Sequence, residues 1–181
     1  MLPTPGQLLL AEPFMDDVYF NRTTILCCDI AATGAMGLVL NQPLKASIND
    51  LFDDLPPFNA RFFEGGPVEQ NSLFFIHKIP FISNSVNLCE GVYEGGDFEE
   101  IKKLIANRKI LSNQILFYVG CAVWDTGQLQ EEMNDNSWVV ANPTKELLFH
   151  PEVGTLWRRS MASLGGKYIA LANAPVSPRF N

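Results

Sequence analysis

Gly34-Ala35-Met36-Gly37-Leu38-Val39-Leu40-Asn41 is the stretch on which the fold reading turns. Two closely spaced glycines beside an apolar run invite comparison with phosphate-binding loops. A P-loop needs a Gly-Lys-Ser or Gly-Lys-Thr ending, and none follows. A dinucleotide-binding turn needs a helix to open behind its glycines, whereas Gly37–Leu40 continues as a strand. The block is therefore read as a tight start to a strand, behind a turn at Thr33-Gly34. The strand before that turn is Thr23–Cys28, rich in β-branched residues. Asn41-Gln42-Pro43 stops the second strand, because Pro43 cannot donate to a ladder and belongs at a strand end or sheet edge. Asn41 stands at that end with an amide to offer a ligand.

Further strands are predicted at Gln7–Ala11, Arg61–Glu64, Leu73–His77, Ile115–Val119 and Ser137–Ala141, with one or two weaker ones in Ser83–Tyr93. The loop from Pro13 to Arg22 is given one helical turn around Met15–Tyr19. Ser47-x-x-Asp50 resembles a capping box and starts a short helix through Phe52, which Pro56-Pro57 breaks. Asp97 is placed as an N-cap with Glu100 as its box partner. Phe98, Ile101, Leu104 and Ile105 then make the clearest amphipathic helix of the chain. Asp125 is read as the cap of a helix carrying Leu129 and Met133, with Gln128 at the box position. Pro143 is placed at a first helical position after Asn142. A last helix with Leu156, Met161 and Leu164 stops at Gly165-Gly166, and the tail from Pro175 to Asn181 is read as extended. Phe63-Glu64-Gly65-Gly66 echoes Tyr93-Glu94-Gly95-Gly96, a hint of duplication that four turn residues can also produce by convergence. Strands and short helices interleave irregularly, which argues α/β or α+β with a mixed sheet. No linker divides residues 1–181, so a single domain is expected.

Composition narrows the function classes. The 181 residues are 47% apolar and 18% charged, against about 25% charge in ordinary globular chains. Disorder, coiled coil and collagen-like fibres are excluded. A net charge of −7 repels phosphate backbones, and the basic clusters Lys102-Lys103, Arg108-Lys109 and Arg158-Arg159 are small, so direct nucleic-acid binding is disfavoured. The first basic residue is Arg22, so no signal-peptide n-region is present, and no charge-free run reaches the roughly 18 residues of a membrane span. A cytoplasmic protein without a membrane segment is expected. Cys27, Cys28, Cys89 and Cys121 form no C-x-x-C pair, and with His77 and His150 alone no zinc spacing exists. No metal or cofactor is expected. Both histidines are read as surface or hydrogen-bonding residues. Asp53-Asp54 and Glu131-Glu132 are read as solvated faces.

Three loops compete for chemistry. Besides Asn41, consecutive Gly65 and Gly66 allow positive φ and can form an anion nest, or simply turn the chain between aromatic strands. In Gly120–Leu129 a strand is expected to run through a loop into a helix N-terminus, where α/β folds bind ligands. There Trp124 offers a stacking face and Gln128 an amide; alternatively Trp124 packs in the core and Cys121 is buried. Asn41, Gly65, Gly66, Trp124 and Gln128 are the ligand-binding candidates, and no catalytic residue is assigned.

In this order the motifs are recognisable. Gly6–Ala11 with Pro13, Phe20-Asn21-Arg22-Thr23, the Gly34–Asn41 block with Pro43, Gly65-Gly66-Pro67-Val68, Gly127-Gln128-Leu129 with Glu131, and Ser137-Trp138 together resemble the AlgH/YqgE family of bacterial proteins. The resemblance runs nearly end to end. It departs where Cys121 replaces an aromatic residue and Val123 a glycine of the family's third block. It implies one α/β domain whose mixed, bent sheet forms a partial barrel with helices packed outside, in a bacterial cytoplasmic protein. It brings no established activity or catalytic residues. Some members carry a transcriptional-regulator label, but no helix-turn-helix with a basic recognition helix is found here. The expected function is a non-enzymatic binding or regulatory module with a small ligand or protein partner. The alternatives are a hydrolase or transferase acting on a small anionic substrate, or an indirect transcriptional regulator.

Overall fold

The computed structural model describes residues 2–175, in which ten strands join into one mixed, open sheet. β1 (Leu8–Ala11), β2 (Thr24–Ala31) and β3 (Gly34–Val39) form an antiparallel meander, with Leu9 opposite Ile25 and Ile25 opposite Val39. The Gly34–Asn41 block is indeed a strand, tied to β2 by a two-residue turn at Ala32-Thr33. β4 (Pro43–Leu44) is an edge strand paired with β5 (Arg61–Glu64), so Pro43 needs no N–H there. β6 (Val68–His77), β7 (Val86–Cys89) and β8 (Val92–Glu94) form a second antiparallel group. Helix α1 (Phe98–Ala106) follows, capped by Asp97, whose carboxylate accepts the Glu99 and Glu100 N–H groups. Glu100 does not complete the box; it turns to Ser83 instead, at 2.8 and 3.0 Å.

β9 (Ile115–Asp125) organises the sheet. Its first half lies between β5, the parallel neighbour, and β6; its second half pairs with β3. The sequence reading ends this strand at Val119 and assigns the stretch from Gly120 to a loop before a helix. The structure carries it six residues further. After β9 the described residues form α2 (Gln128–Asn134), β10 (Trp138–Ala141), α3 (Lys145–Leu148), α4 (Leu156–Ser163) and α5 (Lys167–Ala172). The sheet order β10-β1-β2-β3-β9-β6-β8-β7 does not close on itself, so the barrel is partial.

Alternation along the strands sorts the core. Leu8, Leu10, Leu26, Leu38 and Tyr118 face one layer, covered by Leu156, Trp157 and Met161 of α4. Leu9, Ala11, Ile25 and Val39 face another, shared with Trp124, Leu129 and Trp138. Ile101 and Ile105 of α1 cover a third, built on Phe62, Phe75 and Phe117. Strands buried on both faces read as continuous apolar runs, as β1 and β9 do.

Several local expectations need correction. The helical turn in the Pro13–Arg22 loop lies at Asp17–Asn21, closed by a 2.8 Å bond from Asn21 N–H to the Asp17 carbonyl. Asp125 does not cap α2; Gly127, at φ 82°, occupies that position, and half of the expected box survives as a Gln128 Oε1 bond from the Asp125 N–H. Thr144, not Asn142 before Pro143, caps α3. Gly165-Gly166 separates α4 from α5 rather than ending the helical region. The two aromatic-Glu-Gly-Gly segments are not equivalent: β5 runs parallel to β9, whereas β8 runs antiparallel to β6. The tail expectation lies, beyond Pro175, outside the described residues.

Candidate functional site

The second half of β9 delivers Trp124 to the layer where β10 places Trp138, and the two indoles meet edge to face at 6.0 Å. Both are nearly fully buried, at 4% and 5% exposure, so each N–H must find an acceptor. One carboxylate oxygen serves both. Glu132 Oε2 accepts from Trp124 at 2.8 Å and from Trp138 at 2.7 Å. Its Oε1 accepts from Gln128 Nε2, one helical turn earlier, at 2.9 Å. The loop before β2 completes the wall: Asp17 Oδ1 accepts the Tyr19 and Phe20 N–H groups, and the Phe20 ring packs edge-on against Trp138 at 5.9 Å. Tyr19 anchors the loop by donating its hydroxyl to Glu64 at 3.0 Å; burial first, then that carboxylate, pushes the phenol well above its ordinary range.

Between this loop, β9, α2 and β10 lies a cleft of about 370 Å³. Trp124, Trp138 and Phe20 supply its aromatic surface and Asp16, Asp17 and Glu132 its carboxylates. Among the described residues no Lys or Arg lines it.

Of the sequence candidates, Trp124 and Gln128 line this cleft; Asn41, Gly65 and Gly66 do not. The Asn41 amide braces the backbone: Oδ1 accepts the Thr24 N–H and Nδ2 donates to the Arg22 carbonyl, both at 2.9 Å. Arg22, held at φ 54°, lays its guanidinium 4.9 Å from the Trp157 ring centroid and donates to the carbonyls of Ala174 and Pro175. Gly65 donates its N–H to the Val119 carbonyl and accepts from Val39, so it forms no open nest. The glycine pair is there for a backbone crossing. A Cβ on Gly65 would lie 2.2 Å from the Gly120 oxygen, and one on Gly66, at φ 153°, would lie 2.0 Å from the Cys121 carbonyl carbon.

Sequence reasoning missed Glu132, assigning it to a solvated face, and did not use Trp138, Phe20, Asp16 or Asp17 as site residues. The one local signal was Gln128 four residues before Glu132; the two indoles come from separate strands.

The remaining reactive groups are committed elsewhere. Cys27, Cys28 and Cys121 are buried and Cys89 half-buried. Burial raises all four thiols, Cys27 to about 12. His77 is fully buried rather than at the surface; its Nδ1 accepts the Ile79 N–H at 3.2 Å and its Nε2 sits 3.0 Å from the Gly95 carbonyl. His150 Nδ1 accepts the Glu152 N–H at 3.1 Å. Among the described residues no three His, Cys, Asp or Glu side chains converge as a metal site needs, and no helix is long and apolar enough to cross a membrane.

A family model described as AlgH-like matches residues 8–169. The chain belongs to the AlgH-like family. A UPF0301 protein of Bacteroides thetaiotaomicron is 32% identical over the whole chain and 93% of its own length. The solution structure of the AlgH protein from Pseudomonas aeruginosa superposes with a TM-score of 0.72 at 27% identity, over 97% of both chains. A crystal structure from Corynebacterium diphtheriae reaches 0.79 at 22% identity, over 96% of this chain and 94% of that one, a likeness of fold. Cys121 is buried in the core, whereas Val123 is 43% exposed and lines the cleft.

Proposed function

We propose that the protein is a binding module that takes an organic cation, a small amine or guanidine or the Lys or Arg side chain of a partner protein, into the Trp124–Glu132–Trp138 cleft. The observation that carries this reading is the lining: three carboxylates, the half-buried Phe20 ring and what two nearly buried indoles leave exposed, with no basic residue among the described residues. Ring faces and carboxylates both attract a cation, and the attraction strengthens where water is displaced. The same lining repels a small anionic substrate, which counts against the hydrolase or transferase alternative. The four thiols, held protonated by burial, count against a cysteine nucleophile.

A regulatory role in the cytoplasm is consistent with this reading when exerted through a protein partner. The net charge of −7 opposes direct contact with DNA. Thermal unfolding with agmatine, arginine methyl ester, spermidine and choline, set against inorganic phosphate, sugar phosphates and nucleotides, tests the proposal. A cation at a hundred times its Kd adds about 2.7 kcal/mol, a rise on the order of 5–10 °C for a chain of this size. Asp16→Asn with Asp17→Asn should diminish the rise. A panel in which only anions shift the transition, or nothing does, overturns it.

A further inference from the structure

A second surface lies at the other end of β9. Helix α1 ends in a Schellman arrangement: Lys109 N–H bonds the Leu104 carbonyl at 2.8 Å and Arg108 N–H the Ile105 carbonyl at 3.0 Å. Arg108 stands at φ 53° in the position that glycine or asparagine ordinarily fills. Beside this terminus runs a groove of about 460 Å³ whose apolar surface comes from Phe81, Ile82 and Leu104, with Lys103 and Lys109 at its sides. Phe81 is 67% exposed, and Leu111, two residues beyond Lys109, is 68% exposed.

The charges here are unspent. Lys103, Arg108 and Lys109 are exposed and have no salt-bridge partner among the described residues. Lys102, by contrast, pairs with Glu99 at 2.7 Å and lies over the Phe52 and Phe98 rings. The one carboxylate in the groove, Glu100, has both oxygens bonded to Ser83. A helix C-terminus favours nearby cations, so the dipole accounts for part of the cluster. It does not account for an exposed phenylalanine and leucine beside it.

We infer that this groove docks a short acidic peptide segment of a partner protein, its apolar side chain seated between Phe81 and Leu104 and its carboxylates on Lys103, Arg108 and Lys109. The charge of the whole molecule selects this occupant. A membrane or nucleic acid presents an extended array of negative charge to a chain of net −7, and the repulsion outside the patch opposes it. A short segment confines its negative charge to three cations. The groove is independent of the acidic cleft: Ile115 and Trp124, near the two sites, are on the order of 30 Å apart along the strand at about 3.3 Å per residue.

Fluorescence anisotropy on the full chain tests this with three fluorescein-labelled peptides that share a central Leu-Phe pair and differ in flanks of Asp and Glu, of Asn, or of Lys. The acidic peptide should bind at least tenfold tighter than the neutral one. Lys103→Glu combined with Lys109→Glu should remove that preference, and Phe81→Ala should weaken the acidic peptide threefold or more; the thermal transition should stay in place for Phe81→Ala and fall by only a few degrees for the charge-reversed variant, the share of the helix dipole. Equal binding of acidic and neutral peptides, or binding indifferent to these variants, overturns the inference. So does tighter binding of phosphatidylglycerol vesicles or a single-stranded oligonucleotide at the same salt. Sedimentation that shows a dimer lost in the charge-reversed variant assigns the groove to a second copy and overturns it equally.

Discussion

Trp138 donates its indole N–H to Glu132 at 2.7 Å, on the same oxygen that Trp124 already occupies at 2.8 Å. One carboxylate thus joins the last strand of the sheet to the end of β9. Glu132→Ala leaves two buried indole donors without acceptors, and each such donor costs about 1–3 kcal/mol. The expected loss is about 2–4 kcal/mol, a fall in Tm on the order of 5–15 °C. Glu132→Gln should cost less, because one oxygen remains. Thermal unfolding followed by tryptophan fluorescence measures both. A Glu132→Ala variant as stable as the wild type would show that the pairing contributes nothing.

Gly66 and Gly120 need each other. A Cβ on Gly66 would meet the Cys121 carbonyl carbon at 2.0 Å, and one on Gly120, at φ 73°, would meet the Gly66 oxygen at 2.5 Å. Both obstacles are backbone, so neither side chain can move aside. Gly66→Ala and Gly120→Ala should each cost more than about 3 kcal/mol, through strain and separation of strands. Gly127→Ala is the control for Gly120: its φ of 82° is close to the 73° of Gly120, but its Cβ meets nothing within 4 Å. It should cost about 1 kcal/mol. Urea denaturation that gives all three the same penalty would refute the crossing argument.

This crossing explains what the sequence conceals. Arg61–Glu64 and the start of α1 were legible because their signals are local: an aromatic pair, an Asp cap, and isoleucines four residues apart. The full length of β9 was not, because Gly120 falls in the stretch that reads as a loop before a helix. Its reason for being glycine lies some fifty residues away in the chain, at Gly66. Glycine at Gly65-Gly66 suggested an anion nest for the same reason: close approach to a ligand and close approach to a neighbouring strand demand the same residue. Trp124 and Gln128 were singled out because a strand end before a helix is a recognisable place for a ligand; both line the cleft, with Trp124 itself packed into the core as the alternative reading had it. Glu132 was missed because its three donors converge only after β9, α2 and β10 have packed. Asn41 advertises a free amide in the sequence; the structure spends it on Thr24 and Arg22.

The thiols offer a direct check on the enzymatic alternative. Burial holds Cys27 near 12, so its thiolate fraction at pH 8 is on the order of 10⁻⁴. Cys28 and Cys121 are also buried and raised. Ellman's reagent at pH 8 should find these three silent in the native protein and all four cysteines in urea. The half-buried Cys89 should react slowly at most. A single native thiol that reacts faster than free cysteine would restore a nucleophile to consideration.

His77 gives the fold a pH dependence. Its Nδ1 accepts the Ile79 N–H, so the neutral ring carries its proton on Nε2 and donates it to the Gly95 carbonyl. Protonating Nδ1 would set two donors against each other inside the core. Burial, the largest influence, holds the ring below its ordinary 6.5, and the bond to the Gly95 carbonyl opposes it only in part. The unfolded chain therefore binds the proton more readily. The contribution is fully present above about pH 6.5 and is lost as pH falls from there through the folded value, at a slope of up to about 1.4 kcal/mol per unit. Glu94 acts in the opposite sense: burial, then Asp29, raises its carboxyl, and its contribution is lost as pH rises. Comparison with His77→Gln cancels that background. Urea denaturation of both proteins between pH 5 and 7.5 should show the wild type's advantage shrinking as pH falls below 6.5, and an advantage constant across the range would place the titration elsewhere.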